Sequence, residues 1–128
     1  MSIRDKLRIL VVDDMSTSRG LITQALDTIG ITNYWTENDG QVALKWLAAN
    51  PVHLVLSDFN MPNMDGLQLL ESIRRHAPIA NTGFILVTGR ADQEIVSRGT
   101  QLRMNNFIKK PFTVPQIRDC IEKVVGRL

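Results

Sequence analysis

The 128-residue sequence has a single cysteine and no long apolar run, and each shortage excludes a class of protein. One cysteine cannot build an internal disulfide or a cysteine-rich metal cluster. Cys120 shares helical spacing with Ile117, Ile121 and Val124, which predicts a buried packing position. No apolar run approaches the roughly 20 residues of a membrane span, and the first six residues, MSIRDK, are polar. We therefore expect a cytoplasmic protein without membrane association.

An excess of one charge is also lacking, because the formal net charge is only +2. A charge this small does not indicate a protein that binds nucleic acid or a membrane surface. The charges are unevenly distributed, however. Residues 1–89 carry 7 Lys or Arg and 9 Asp or Glu, whereas residues 90–128 carry 8 and 4, giving net charges of −2 and +4. The C-terminal third is therefore predicted to present a basic surface.

Length and pattern predict one α/β domain over residues 1–128. A compact chain of this size buries roughly two-thirds of its unfolded surface, and no repeat, linker or low-complexity stretch divides it. Three short runs rich in Val, Ile and Leu predict buried parallel strands, namely LRILVV (7–12), HLVLS (53–57) and GFILVT (83–88). Two more polar runs predict strands nearer the sheet edge, ITNYW (31–35) and NNFIKK (105–110).

Apolar residues at helical spacing predict five helices that alternate with the strands. The first ends before Gly30, the second follows Asp39-Gly40, and the others include residues 67–73, 95–102 and 117–125. This alternation predicts right-handed βαβ units and a doubly wound parallel sheet. In such sheets the ligand site lies at the carboxyl ends of the strands.

Polar side chains stand at the predicted carboxyl ends of four strands. Asp13 and Asp14 follow the first strand, Asp58 follows the third, Thr88 ends the fourth, and Lys110 ends the fifth. Taken singly, each has an ordinary structural explanation, such as a helix cap for either of the first two aspartates. Because parallel strands bring these ends to one edge of the sheet, the five side chains together predict a site.

The predicted chemistry of this edge is phosphoryl transfer with a metal ion. Three close carboxylates repel one another, each pair costing about 4 kcal/mol at about 4 Å and an effective dielectric near 20. An oxygen-only set of ligands favours a hard cation, and Mg²⁺ fits best. Lys110 and Thr88 would hold phosphoryl oxygens while an aspartate attacks phosphorus.

Four motifs resemble the receiver domain of bacterial response regulators. They are VVDD (11–14), SDFNMPNMDG (57–66), VTG (87–89) and KPF (110–112). The resemblance runs from about residue 7 to 126 and is greatest to single-domain members that act in chemotaxis. It implies a flavodoxin-like fold with five parallel strands in the order 2-1-3-4-5 and no output domain. It also implies a signalling protein rather than an enzyme, limited to its own phosphorylation and slow autodephosphorylation.

The resemblance implies a role for each residue of the edge. Asp58 would be the phosphoacceptor and would take phosphoryl from a phosphohistidine on a sensor histidine kinase of the chemotaxis type. Mg²⁺ would be held by Asp13, largely through water, by Asp14, by Asp58 and by the backbone carbonyl of Asn60. Two further residues would bind the phosphoryl oxygens, namely Thr88 and Lys110.

The resemblance also implies a conformational switch. Phe107 matches an aromatic position that turns inward when the Thr88 hydroxyl is drawn toward the phosphoryl group. The face formed by the fourth helix, fifth strand and fifth helix would then bind a flagellar motor switch protein or another protein effector. The Lys110-Pro111 bond would be cis. The domain would act as a monomer.

Two positions depart from the family pattern. Arg103 stands where members usually carry Gly near the end of the fourth helix, so the shape of that corner is expected to differ. Arg90, two residues beyond Thr88, stands where chemotaxis members often carry a carboxylate. It would either reach over the site and alter the lifetime of the acyl phosphate or remain solvated.

Three other functions share part of this pattern. The domain could act as a phosphate sink or shuttle in a phosphorelay rather than at a motor. A phosphohydrolase of the haloacid dehalogenase type is disfavoured, because Asn60 stands where those enzymes need an acid, and 128 residues leave no room for a cap domain. A transcription factor is disfavoured because no helix-turn-helix pattern follows the fifth helix.

Overall fold

The computed structural model describes residues 3–90 and 92–128. Met1 and Ser2, which begin the polar N-terminal stretch, and Ala91 lie outside the described residues. The strands form one parallel sheet in the order β2-β1-β3-β4-β5, as predicted. Their bounds are β1 (Ile9–Val12), β2 (Tyr34–Glu37), β3 (Leu54–Asp58), β4 (Gly83–Thr88) and β5 (Asn106–Lys109).

Five helices of nine or more residues connect the strands, as the apolar periodicity predicts. They are α1 (Ser16–Ile29), α2 (Gly40–Ala49), α3 (Gly66–Arg75), α4 (Gln93–Gln101) and α5 (Val114–Val125). Two shorter elements were not predicted, a four-residue helix at Ile3–Lys6 and a 3₁₀ turn at Ala77–Ile79. Single turns are too short to show a helical repeat of apolar residues.

The helices cover both faces of the sheet, so β1, β3 and β4 are buried throughout. Successive strand residues point to opposite faces, and Val11 and Val12 accordingly belong to different clusters of the core. The cluster containing Val11 includes residues of α1 and α5, such as Leu26 and Ile121. Cys120 belongs to this cluster, which confirms its predicted packing position. Among the described residues, no helix combines the length and the apolar character that crossing a bilayer requires.

The second strand begins later than predicted. The pattern placed it at residues 31–35, but β2 runs from Tyr34 to Glu37. Ile31 is buried, yet it belongs to the turn that ends α1, where its N–H donates to the Leu26 carbonyl at 2.9 Å. An apolar residue immediately after a helix packs back onto that helix, and this pattern resembles the start of a strand.

The corner between α4 and β5 retains a left-handed residue despite the absence of glycine. Arg103 has φ = 63°, where an ordinary side chain is disfavoured. The Arg103 and Met104 N–H groups donate to the carbonyls of Thr100 and Gly99, at 3.0 and 2.8 Å. This is the hydrogen-bond pattern of a Schellman motif, in which the left-handed position is usually occupied by glycine.

Candidate functional site

Three carboxylates meet at the carboxyl ends of β1 and β3. The two strands pair so that Val12 lies beside Ser57, which places the residues that follow them, Asp13 and Asp58, side by side. One carboxylate oxygen from each of Asp13, Asp14 and Asp58 lies within 4.8 Å of the other two. Asp13 is fully buried, and Asp58 is only 7% exposed. The predicted cluster is thus present in the fold.

Lys110 supplies the positive charge of this cluster. Its Nζ lies 3.1 Å from Asp58 Oδ1 and 3.4 Å from Asp13 Oδ2. The Lys110 N–H donates to the Thr88 carbonyl at 2.8 Å, which fixes the start of the side chain beyond the end of β5. From there the side chain reaches across β4 to the carboxylates. The Lys110-Pro111 peptide bond is cis.

The charges of the cluster are unbalanced. Burial raises the pKa of Asp58 above its ordinary value, and the ammonium of Lys110 opposes this shift. One ammonium faces three carboxylates, and Asp14 Oδ1 is buried without a hydrogen-bond partner among the described residues. Oxygen donors with an unsatisfied carboxylate oxygen fit a hard divalent cation such as Mg²⁺.

The remaining predicted residues surround the cluster at different depths. Thr88 is 2% exposed, and its Oγ1 accepts a hydrogen bond from the Arg90 N–H at 2.9 Å. Asn60 is exposed, two residues beyond the end of β3. Phe107 pairs with Leu86 in the β4–β5 register and is 37% exposed, so its ring faces outward.

Comparison with known proteins identifies the family. The sequence matches the model of the response regulator receiver domain over residues 9–122. The chain belongs to this family. It is 41% identical over 128 residues to the "Probable chemotaxis protein CheY" of Rhizobium etli, covering 100% of this chain and 99% of that protein.

Two Vibrio cholerae proteins extend the comparison. Chemotaxis protein CheY-3 is 33% identical over 122 residues, which cover 95% of this chain and 94% of the relative. The crystal structure of chemotaxis protein CheY4 superposes with a TM-score of 0.85 and 24% identity, over 92% of this chain and 98% of that one. The latter likeness supports the flavodoxin-like fold of this receiver domain.

Arg90 lies in the loop between β4 and α4, and its side chain pairs at the start of α4 rather than over the carboxylates of the receiver domain. Its guanidinium donates to Asp92 Oδ2 through Nη2 at 2.7 Å and Nε at 3.2 Å. Asp92 is the N-cap of α4, and its Oδ1 accepts the Ile95 N–H at 3.0 Å. The structure therefore pairs the Arg90 side chain with an acidic partner at the surface.

Two supporting residues of the receiver site were missed by the sequence analysis. A Cβ at Gly66 would overlap the Asp58 carbonyl oxygen and lie 2.9 Å from Leu86 Cδ1, so only glycine lets α3 begin so close to β3. Arg19 in α1 donates from Nη1 to the Asp13 carbonyl at 2.8 Å. The MDG motif was a signal for Gly66, whereas nothing in the local pattern marked Arg19.

Proposed function

We propose that this receiver domain accepts a phosphoryl group on Asp58 in two-component signalling. The observation that carries the proposal is the surroundings of the Asp58 carboxylate. It is almost buried at a strand end, with an ammonium at 3.1 Å and two further carboxylates within 4.8 Å. Such a site positions a nucleophile and neutralises charge, which are the main requirements of phosphoryl transfer.

In the proposed reaction an Asp58 carboxylate oxygen attacks the phosphorus of a phosphohistidine on a sensor histidine kinase. The P–O bond forms as the P–N bond breaks, and the imidazole retains the electron pair and takes up a proton. The product is an acyl phosphate on Asp58 and an unmodified histidine. Lys110 Nζ, already beside Asp58, would follow a phosphoryl oxygen, and the Thr88 hydroxyl would donate to another.

Mg²⁺ is the cofactor that the donor set favours. Asp13, Asp14, Asp58 and the backbone carbonyl of Asn60 would hold it. When bound, the ion supplies positive charge that relieves the carboxylates and stabilises the transferring phosphoryl group. The buried Asp14 Oδ1, which has no partner within the described chain, supports this assignment.

The proposed output is a change of the face formed by α4, β5 and α5. Movement of Thr88 toward the phosphoryl group would leave space into which Phe107 turns. This face lies in the basic C-terminal third of the chain, so an effector segment with acidic residues around an apolar anchor would fit it. The names of the relatives support a role in chemotaxis. For that role we propose a cytoplasmic location and a flagellar motor switch protein as effector.

The phosphoacceptor proposal is tested by incubating the protein with acetyl phosphate and Mg²⁺ and measuring intact mass. We expect one phosphoryl group, absent from Asp58→Asn and after chelation, and strongly reduced in Lys110→Ala. The matched controls are Asp119→Asn and Lys109→Ala, which change exposed charges away from the carboxylate cluster. Modification that survives in Asp58→Asn would overturn the assignment.

The proposed output is tested separately with beryllofluoride, a phosphoryl mimic. Effector affinity is measured with and without the mimic in wild type and Phe107→Ala. We expect the mimic to strengthen wild-type binding about 5- to 150-fold, the usual range of allosteric coupling. The gain should be largely lost in Phe107→Ala and should weaken as salt rises. Equal gains in both proteins would show that Phe107 does not act as the switch.

A further inference from the structure

Arg74 makes a set of contacts that the phosphoacceptor site does not explain. It lies in the last turn of α3, and no carboxylate among the described residues pairs with it. Its guanidinium instead donates five hydrogen bonds to oxygen atoms of three neighbouring segments. The acceptors are the carbonyls of Ala80 (2.9 Å), Thr82 (2.6 Å), Leu102 (3.2 Å) and Arg103 (2.9 Å), and Asn105 Oδ1 (3.2 Å).

These acceptors surround the one described helix end where a non-glycine residue adopts the left-handed conformation. Helix α1 ends in the same hydrogen-bond pattern, but its left-handed residue is Gly30, with φ = 97°. At the end of α4 the position belongs to Arg103, with φ = 63°. A non-glycine residue populates this left-handed conformation about 5- to 30-fold less than the right-handed one. Such a conformation persists only where its surroundings hold it.

Arg74 binds the main chain of Arg103 directly. The guanidinium binds the carbonyls on both sides of the strained position, those of Leu102 and Arg103. Attraction between the Arg74 and Arg103 side chains does not explain the arrangement, because both are cationic. Burial and the charge of Arg103 lower the pKa of Arg74 below its ordinary value. The favourable interaction is therefore between the guanidinium and the main chain.

The corner leads directly into the strand that carries Phe107. Two hydrogen bonds join Asn105 to β4. Its N–H donates to the Phe84 carbonyl at 3.0 Å, and its Oδ1 accepts the Phe84 N–H at 2.8 Å. β5 begins at the next residue. We propose that Arg74 is a positioning residue that holds Arg103 in the left-handed conformation and so fixes the corner from which β5 presents Phe107.

The geometry requires an arginine rather than any cation. A guanidinium has five N–H donors in one plane, which here reach the segment before β4, the end of α4 and the start of β5 at once. A lysine ammonium in the same place has three donors around one atom and cannot span those separate acceptors.

The test is amide hydrogen exchange of Met104 and Asn105 followed by NMR. In Arg74→Gln we expect their protection to fall about tenfold or more, since a hydrogen bond from a charged group contributes at least that factor. In the double variant Arg74→Gln with Arg103→Gly, protection should return to within about threefold of wild type, because glycine adopts φ > 0 unaided. Arg75→Gln is the control, because that neighbouring side chain is 78% exposed and contacts Glu71.

The rescue separates positioning from general stabilisation. If Arg74 only stabilised the fold, glycine at position 103 would leave the exchange of Met104 and Asn105 as fast as in the single variant, and the proposal would fail. Arg74→Lys should behave like Arg74→Gln at these two amides. Full protection in Arg74→Lys would show that charge alone suffices and would overturn the role given to the guanidinium.

The link to Phe107 rests on the proposed function and is tested with beryllofluoride and Mg²⁺. We expect Arg74→Gln to bind the mimic, seen by fluorine NMR, but to lose most of the wild-type change in amide exchange over residues 106–109. An undiminished change would overturn the link between Arg74 and Phe107. Absence of any mimic effect in wild type would instead refute the proposed function, while the glycine rescue still decides whether Arg74 holds Arg103.

Discussion

Replacing Asp14 with asparagine should make the metal-free protein more stable. The change removes one negative charge but nearly preserves the shape of the side chain. Oxygens of the three carboxylates lie within 4.8 Å of one another, and a like-charge pair at that distance costs about 3.5 kcal/mol at an effective dielectric near 20. Lys110 Nζ contacts Asp13 and Asp58. Asp14 therefore adds repulsion that this ammonium does not offset by direct contact.

The expected gain is smaller than the sum of the pair energies. Solvent reaches Asp14 in part, and the asparagine amide still needs partners for its polar atoms, at a cost of about 1–3 kcal/mol if it is buried without them. We expect the free energy of unfolding to rise by about 1–3 kcal/mol in Asp14→Asn. Stabilisation by bound Mg²⁺, in contrast, should require the Asp14 carboxylate. At a hundredfold excess over Kd it should stabilise the wild type by about 2.7 kcal/mol and the variant by much less.

The measurement is urea unfolding of wild type and Asp14→Asn, each with a chelator and with saturating Mg²⁺. Asp119→Asn serves as the control, because it removes an exposed carboxylate that pairs with Lys123 and should leave the Mg²⁺ increment unchanged. A loss of stability of Asp14→Asn in the chelator would refute the repulsion argument. An equal Mg²⁺ increment in both proteins would refute the assignment of Asp14 as a ligand.

Three further predictions follow from contacts in the fold. His53 Nδ1 accepts the Arg8 N–H at 2.9 Å, and burial and the Arg8 charge lower the pKa of His53 below its ordinary 6.5. The neutral ring should therefore contribute stability above pH 6.5 that is lost as the pH falls toward the lower folded-state pKa, a loss that denaturation curves of His53→Gln should lack. Gly66→Ala should lower the free energy of unfolding by about 1–3 kcal/mol and reduce labelling by acetyl phosphate, because its Cβ meets the Asp58 carbonyl. Trp35 in β2 and Trp46 in α2 contact each other with their rings tilted and the ring centroids 5.5 Å apart. Mg²⁺ should therefore barely change their fluorescence, whereas a Phe59→Trp reporter beside the site should respond.

The sequence alone determined the layout of the domain and the members of the carboxylate cluster. Unbroken apolar runs identify buried parallel strands, and a parallel sheet brings every strand's carboxyl end to the same edge. Asp13, Asp14 and Asp58 follow directly from that rule, because each lies within two residues of the end of a predicted strand. The boundary of β2 did not follow, since Ile31 is apolar for packing against α1 and not for strand formation.

Only the tertiary structure determines which partners the long side chains of lysine and arginine contact. Lysine and arginine reach several ångströms from their backbone, so their partners depend on which segments the fold brings near, and local sequence does not encode that. The strand ends predict that Lys110 lies near Asp58, but only the fold shows that its side chain crosses β4 to bring Nζ to 3.1 Å from that carboxylate. The sequence left two placements open for Arg90, and the fold pairs it with Asp92. Arg74 binds carbonyls about 30 residues away, and Arg103 keeps a conformation that its own sequence disfavours because that neighbour binds its main chain.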